Sequence, residues 1–122
     1  MRNISFLTII LCLSALHLLV SCGADTYIRK GDKALALGEY YLAAENYRKA
    51  YSKTPASERA LRGERALKMG QSYERFNSNL KALAGYRNAA RYGKATAEDS
   101  LHLGRLLLKN GEYKAAEAIF AD

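Results

Sequence analysis

A chain of 122 residues has room for one small domain and no more. Its 19 Lys and Arg stand against 12 Asp and Glu, a net charge of +7 that would ordinarily raise nucleic acid as a partner. The pattern at the N-terminus removes that option.

Arg2 is the one charge among the first 22 residues, an apolar run follows from Ile4 to Val20 with Ser5, Thr8, Ser14 and His17 inside it, and no acid precedes Asp25. This is a secretory signal pattern, at the lower edge of what spans a bilayer as a permanent anchor. The residues Leu19-Val20-Ser21-Cys22 resemble the bacterial lipobox. That resemblance implies a signal peptide over 1–21, lipid on Cys22 and a short linker over 22–25; a plain transmembrane anchor or an ordinary cleaved signal is the other reading. Once Cys12 leaves with the signal and Cys22 is acylated, no thiol remains for a disulfide, a zinc knuckle or a nucleophile. Loss of Arg2 leaves 18 basic against 12 acidic residues, +6. Outside the cytoplasm such a surface suits lipid headgroups, wall polymers or an acidic protein, or is simply a solvated helical face, and no nucleic acid is expected.

Beyond Ala24 the apolar residues recur at three- and four-residue steps, which predicts an all-α chain. The helices are expected at 26–37, 40–52, 55–76, 79–92, 97–110 and from Glu112 to the end. Pro55 after Thr54 reads as first helical position after an N-cap. Internal spacing says more. Gly70 to Gly104, Ala82 to Ala116 and Tyr86 to Phe120 are each 34 residues apart. Ala43 to Ala82 and Tyr47 to Tyr86 are each 39 apart, so five extra residues fall in the helix that opens at Pro55.

Residue by residue the units resemble the tetratricopeptide repeat. The first offers Gly31, Gly38, Tyr40, Ala43, Tyr47, Ala50 and Pro55. The second has Gly70, Tyr73, Ala82, Tyr86 and Ala89, with Asn77 and Asn79 where the family has its hairpin glycine and tyrosine. The third has Leu103, Gly104, Gly111, Tyr113, Ala116 and Phe120. The resemblance implies a helical-hairpin solenoid over 26–122, with repeats at about 24–57, 63–96 and 97–122, the last truncated. Small residues would let paired helices approach, and the tyrosine stripe would fill the core rather than stack on sugars. Tyr41, Tyr51 and Tyr92 fall outside the pattern, free for surface recognition. The final unit would expose Ile119 and Phe120, as in a piece of a longer protein or a chain whose end a partner covers.

Little in the chain suggests catalysis. His102 has no second histidine with which to share a metal. Thr96 with Asp99 reads as a capping box, and Glu58 to Arg62 and Glu64 to Lys68 as four-apart pairs, which accounts for the acids. The expectation is therefore no enzyme, no metal and no cofactor. Arg59, Arg62, Arg65 and Lys68 form a basic stripe, half neutralised by its own glutamates. A tetratricopeptide groove would be lined here by Ile28, Asp32, Leu35, Leu67, Gln71, Glu74, Leu101, Arg105 and Leu108. Where chaperone-binding members clamp a terminal carboxylate, this chain has Ile28, Asp32, Glu98 and His102, so an internal segment or a neighbouring domain is the better fit.

The lipobox, the stretch Tyr27-Ile28-Arg29-Lys30-Gly31-Asp32-Lys33, then Gly38-Glu39-Tyr40-Tyr41 and Tyr47-Arg48-Lys49-Ala50-Tyr51, resemble the front of the PorE-type, OmpA-family envelope proteins of Bacteroidetes. Arg62-Gly63-Glu64-Arg65-Ala66 and Leu107-Leu108-Lys109-Asn110-Gly111 extend the likeness. It implies an outer membrane lipoprotein on the periplasmic side, surface exposure being the other orientation, and protein partners of type IX secretion. Peptidoglycan would be bound only through domains that these residues do not include. Another envelope process, such as nutrient uptake or wall assembly, or the accessory front of a longer enzyme, are the other readings.

Overall fold

The computed structural model describes the backbone of residues 2–121 and the side chains of 4–13 and 23–121. It is all-α among those residues, with α1 (Arg2–Ala36), α2 (Tyr40–Lys53), α3 (Arg59–Arg75), α4 (Asn79–Arg91), α5 (Ala97–Lys109) and α6 (Tyr113–Ala121). Each helix packs chiefly on the helix before and the helix after it. The expected start at Thr26 is overtaken: α1 runs unbroken from Arg2 through the segment read as a linker, no proline interrupting it and both its glycines, Gly23 and Gly31, lying inside the helix. Among the described residues no helix is long and apolar enough to cross a membrane.

Every turn but the one between α2 and α3 shares one geometry. Gly38, Asn77, Gly93 and Gly111 all take positive φ, from 61° to 78°. The residue after each returns its amide to the last helical turn: Glu39 to the Ala34 carbonyl, Ser78 to Tyr73, Lys94 to Ala89 and Glu112 to Leu107, all at 2.9 Å. This reuse of otherwise orphaned carbonyls closes a helix where a left-handed residue allows it. Asn77 fills that position without being glycine, since its short polar side chain tolerates the left-handed region.

Thr54 and Pro55 depart from expectation. Thr54 ends α2 instead of starting α3: its hydroxyl donates to the Ala50 carbonyl at 2.7 Å, and its φ and ψ of −80° and 126° are extended, the conformation that a following proline imposes. Pro55 opens a turn, accepting from the Glu58 amide at 3.0 Å, and α3 begins only at Arg59. At the start of α5 the capping box is complete, with the Thr96 hydroxyl accepting from the Asp99 amide and the Asp99 carboxylate from the Thr96 amide.

The core alternates large rings with minimal residues. Tyr47, Tyr73 and Tyr86 are essentially inaccessible, as are Ala43, Ala44, Ala50, Ala66, Ala82, Ala89 and Ala116. A Cβ on Gly31 would strike the Tyr47 ring, and one on Gly104 would strike the Phe120 ring. Gly70 meets Gly85 backbone to backbone, which brings α3 and α4 closer than any side chain would permit. Tyr40 is half-buried under the Arg75 guanidinium. Tyr113, expected in the core stripe, stands in solvent at 69% exposure, because no helix packs on that side of α6 among the described residues.

Candidate functional site

Successive odd-numbered helices enclose a cleft of about 690 Å³, lined by Leu35 of α1, by Leu67, Lys68, Gln71, Glu74 and Arg75 of α3 and by Glu98, Asp99 and His102 of α5, with the Tyr47 and Tyr86 rings at its floor. Two composite hydrogen-bond sets hold it open at a fixed width. In the first, the Tyr47 hydroxyl donates to Asp32 Oδ1 at 2.7 Å and Lys68 Nζ donates to the same oxygen at 2.9 Å, tying α2 and α3 to α1. In the second, the Tyr86 hydroxyl donates to Glu74 Oε2 at 2.7 Å, and His102 Nδ1 lies 3.0 Å from Glu74 Oε1, tying α4 and α5 to α3. Facing a carboxylate, Nδ1 is the hydrogen-bearing nitrogen. The His102 ring also stacks on Tyr86, centroids 6.0 Å apart and 7° from parallel.

The electrostatics follow from these contacts. Burial works against the Asp32 carboxylate, but hydrogen bonds from Lys68 and Tyr47 outweigh it and hold the group below the usual range. Asp99 behaves likewise: burial raises it, and Thr96 and Gln71 pull it down further, with Gln71 Nε2 donating to Asp99 Oδ1 at 3.1 Å. Tyr47 and Tyr86 are pushed above the ordinary phenol value, first by burial and then by the acids they serve. On the opposite side of the hairpins Tyr73 donates to Glu45, which that bond and Arg48 keep low.

Of the nine groove residues expected from sequence, Leu35, Leu67, Gln71 and Glu74 line the cleft. Asp32 stands at its rim through Lys68 and Tyr47. Ile28 packs against the core, and Leu101, Arg105 and Leu108 are exposed on α5 outside the cleft. Glu98 and His102, the positions of the carboxylate clamp in chaperone-binding members, belong to the lining, and so do Lys68, Arg75 and Asp99, which the sequence does not point to as groove residues. The 39-residue spacing of Tyr47 and Tyr86 marks their equivalent places, but their acids sit at different offsets, 15 and 12 residues back, which hides the pairing from a search by period.

The basic stripe is corrected. Neither Glu58–Arg62 nor Glu64–Lys68 pairs among the described residues. Arg65 is 7% exposed, its guanidinium 2.8 Å from Asp25 and bonded to the Thr54 hydroxyl. Arg62 donates to the Thr54 carbonyl at 2.6 Å and the Tyr92 hydroxyl at 3.1 Å, its guanidinium 4.4 Å from the Tyr51 centroid. Arg59 lies over Tyr92, and Lys68 serves Asp32. Arg62, Arg65 and Lys68 thus tie α3 to its neighbours and are committed inside the fold. Tyr51 and Tyr92 are occupied with them, and Tyr41 packs on Phe76 with ring centroids 4.9 Å apart.

Chemically the cleft offers apolar walls at Leu35 and Leu67 and polar groups at Gln71, Arg75 and Glu98, suited to recognition by shape and hydrogen bonds. Of its two hydroxyl-bearing aliphatic residues, Ser72 is buried and Thr96 caps α5. Among the described residues no three His, Cys, Asp or Glu converge as a metal set would. The Cys22 side chain lies outside the described residues. No family model matches the chain, and neither a curated protein nor a solved structure matches it with significance.

Proposed function

We propose that this chain is a non-catalytic tetratricopeptide scaffold of the bacterial envelope, anchored through lipid on Cys22 at the periplasmic side of the outer membrane. Its cleft binds an internal segment of a partner protein in type IX secretion or a related envelope assembly. The observation that carries this reading is the cleft itself. It is built from alternate helices, braced by two tyrosine–acid sets, and leaves apolar walls with polar groups between them. Glycine-against-ring contacts at Gly31 and Gly104 support the repeat reading, and the Leu19-Val20-Ser21-Cys22 stretch supports the anchor.

The test places a photo-crosslinking residue at Gln71 or Glu98, both exposed, and at Ala84 on the outer side of α4 as control. Adducts with an envelope protein from the cleft positions alone are expected. No adduct, or equal adducts from Ala84, overturns the reading. The anchor is tested separately: Cys22→Ala is expected to abolish the diacylglyceryl mass and to remove the chain from the outer membrane fraction. Retention there without the lipid refutes it.

A further inference from the structure

Several cations of this protein face a carboxylate. Arg48 and Lys81 face Glu45, Arg65 faces Asp25, Lys68 faces Asp32 and Arg87 faces Glu112. One group does not. The ammonium groups of Lys30, Lys49 and Lys53 converge on the Tyr27 ring, 5.6, 5.7 and 5.8 Å from its centroid. Among the described residues no carboxylate lies within ion-pair distance of any of the three. Lys30 comes from α1, and Lys49 and Lys53 come from consecutive turns of α2, so the packing of the two helices gathers the charges around one face. The ring quadrupole attracts each ammonium. It does not neutralise three, and an anion brought up to them would gain from all three charges at once.

The location selects which anion. Tyr27 follows Cys22 by five residues, about 7.5 Å along a helix, which is within a Debye length of about 8 Å in physiological salt. Lys53 lies closer still: its Cδ is 3.9 Å from where a Cβ on Gly23 would stand. The three ammonium groups therefore gather close to the residue through which the chain is proposed to be anchored, around an amphipathic ring of the kind that sits at a bilayer interface.

We infer that Tyr27, Lys30, Lys49 and Lys53 form a docking site for the phosphate of anionic phospholipid headgroups, which sets the domain's orientation on the membrane. This rests on the anchorage proposed above, and adds to it that the domain lies down on the leaflet instead of swinging from its lipid. Each lysine near an anionic surface strengthens binding about fivefold, so the three together contribute roughly a hundredfold.

The experiment is an NMR titration of the full chain, held in neutral detergent, with short-chain phosphatidylglycerol, phosphatidylcholine or inorganic phosphate. Saturable shifts at Tyr27, Lys30, Lys49 and Lys53 are expected with phosphatidylglycerol alone. The K30Q, K49Q, K53Q triple variant is expected to bind about a hundredfold more weakly, and the corresponding arginine triple to retain binding, both with unchanged signals from Tyr47 and Tyr86. Equal shifts with phosphatidylcholine, or shifts elsewhere in the chain, overturn the inference. So do full binding by the glutamine triple and inorganic phosphate binding as tightly as the lipid, which would make the site one for free anions. Failure of the lipid anchor is read independently, from the mass and fractionation of the Cys22→Ala protein.

Discussion

Replacing Gly85 with alanine sets two opposing effects against each other at one position. Alanine in a helix interior is favoured over glycine by about 1 kcal/mol through backbone entropy, and Gly85 lies in the middle of α4. Against this, its Cβ would stand 2.5 Å from the Gly70 nitrogen and 3.0 Å from the Ala66 carbonyl oxygen. Both are backbone atoms of α3, which cannot rotate away as a side-chain tip can. Relief requires α3 and α4 to separate along much of their contact, and a gap of about 0.5–1 Å forfeits a quarter to a half of each dispersion well. Overpacking of this kind costs about 3 kcal/mol at the upper end of the usual range. The net loss is then about 2 kcal/mol, a fall in Tm on the order of 8–16 °C for a domain of this size. Urea denaturation followed by far-ultraviolet circular dichroism measures it on the full chain in neutral detergent. Gly23→Ala is the internal control: the new methyl meets only the Lys53 stem at 3.9 Å, so propensity acts alone and stability holds or rises. A Gly85→Ala protein as stable as the wild type would refute the claim that the Gly70–Gly85 approach sets the spacing of these helices.

Asp32, Glu45 and Asp99 are held below their ordinary values of 3.8, 4.5 and 3.8, so the unfolded chain takes up protons first. Stability is expected to be complete above about pH 4.5 and to fall as pH drops through these values; urea midpoints that rise on acidification would contradict it. Tyr47, Tyr73 and Tyr86 are raised above 10.0, so their contribution is intact below that pH and is lost as pH climbs beyond it. Of the nine tyrosines, these three are expected to ionise only together with loss of helix, in a near-ultraviolet absorbance titration. Thr96→Ala removes the hydroxyl that accepts from the Asp99 amide, and is expected to cost about 1 kcal/mol. Amide exchange should quicken first over Ala97–Leu101, and unchanged exchange there would count against the cap.

Features set by local chemistry were readable in the sequence. The capping box needs only Thr96 and Asp99 three residues apart, and the helical period needs only side chains repeating along one face. Asn77 looked like a defect in the repeat because its position was compared with glycine, although the conformation required there is one that asparagine also adopts. Thr54 was misplaced because threonine serves equally before a helix and after one. What decided it was a bond to Ala50 behind it, not to the residues ahead. The α3 cations carry a related ambiguity. Spacing along one helix offers Glu58 and Glu64 as partners, whereas the fold offers Asp25 and Asp32 from α1, 40 and 36 residues away. The cleft is half legible: Leu35, Leu67, Gln71 and Glu74 stand at the groove positions that the tetratricopeptide resemblance implies. The contribution of α5 depends on how that helix is rotated against α3, which the Glu74–His102 bond records and no periodicity does.

Because each helix leans mainly on its chain neighbours, the molecule can assemble in the order in which it is made. Once α2 is complete, the Gly31–Tyr47 contact can close, and Tyr47 can reach Asp32 without any residue beyond it. The arrival of α3 brings Lys68 to the same carboxylate and recruits Arg65 to Asp25, so each new hairpin docks on a finished surface. Short loops and near-neighbour pairing keep the entropy of closure small at every step. A chain threaded N-terminus first therefore never needs to hold a long unfolded stretch in reserve.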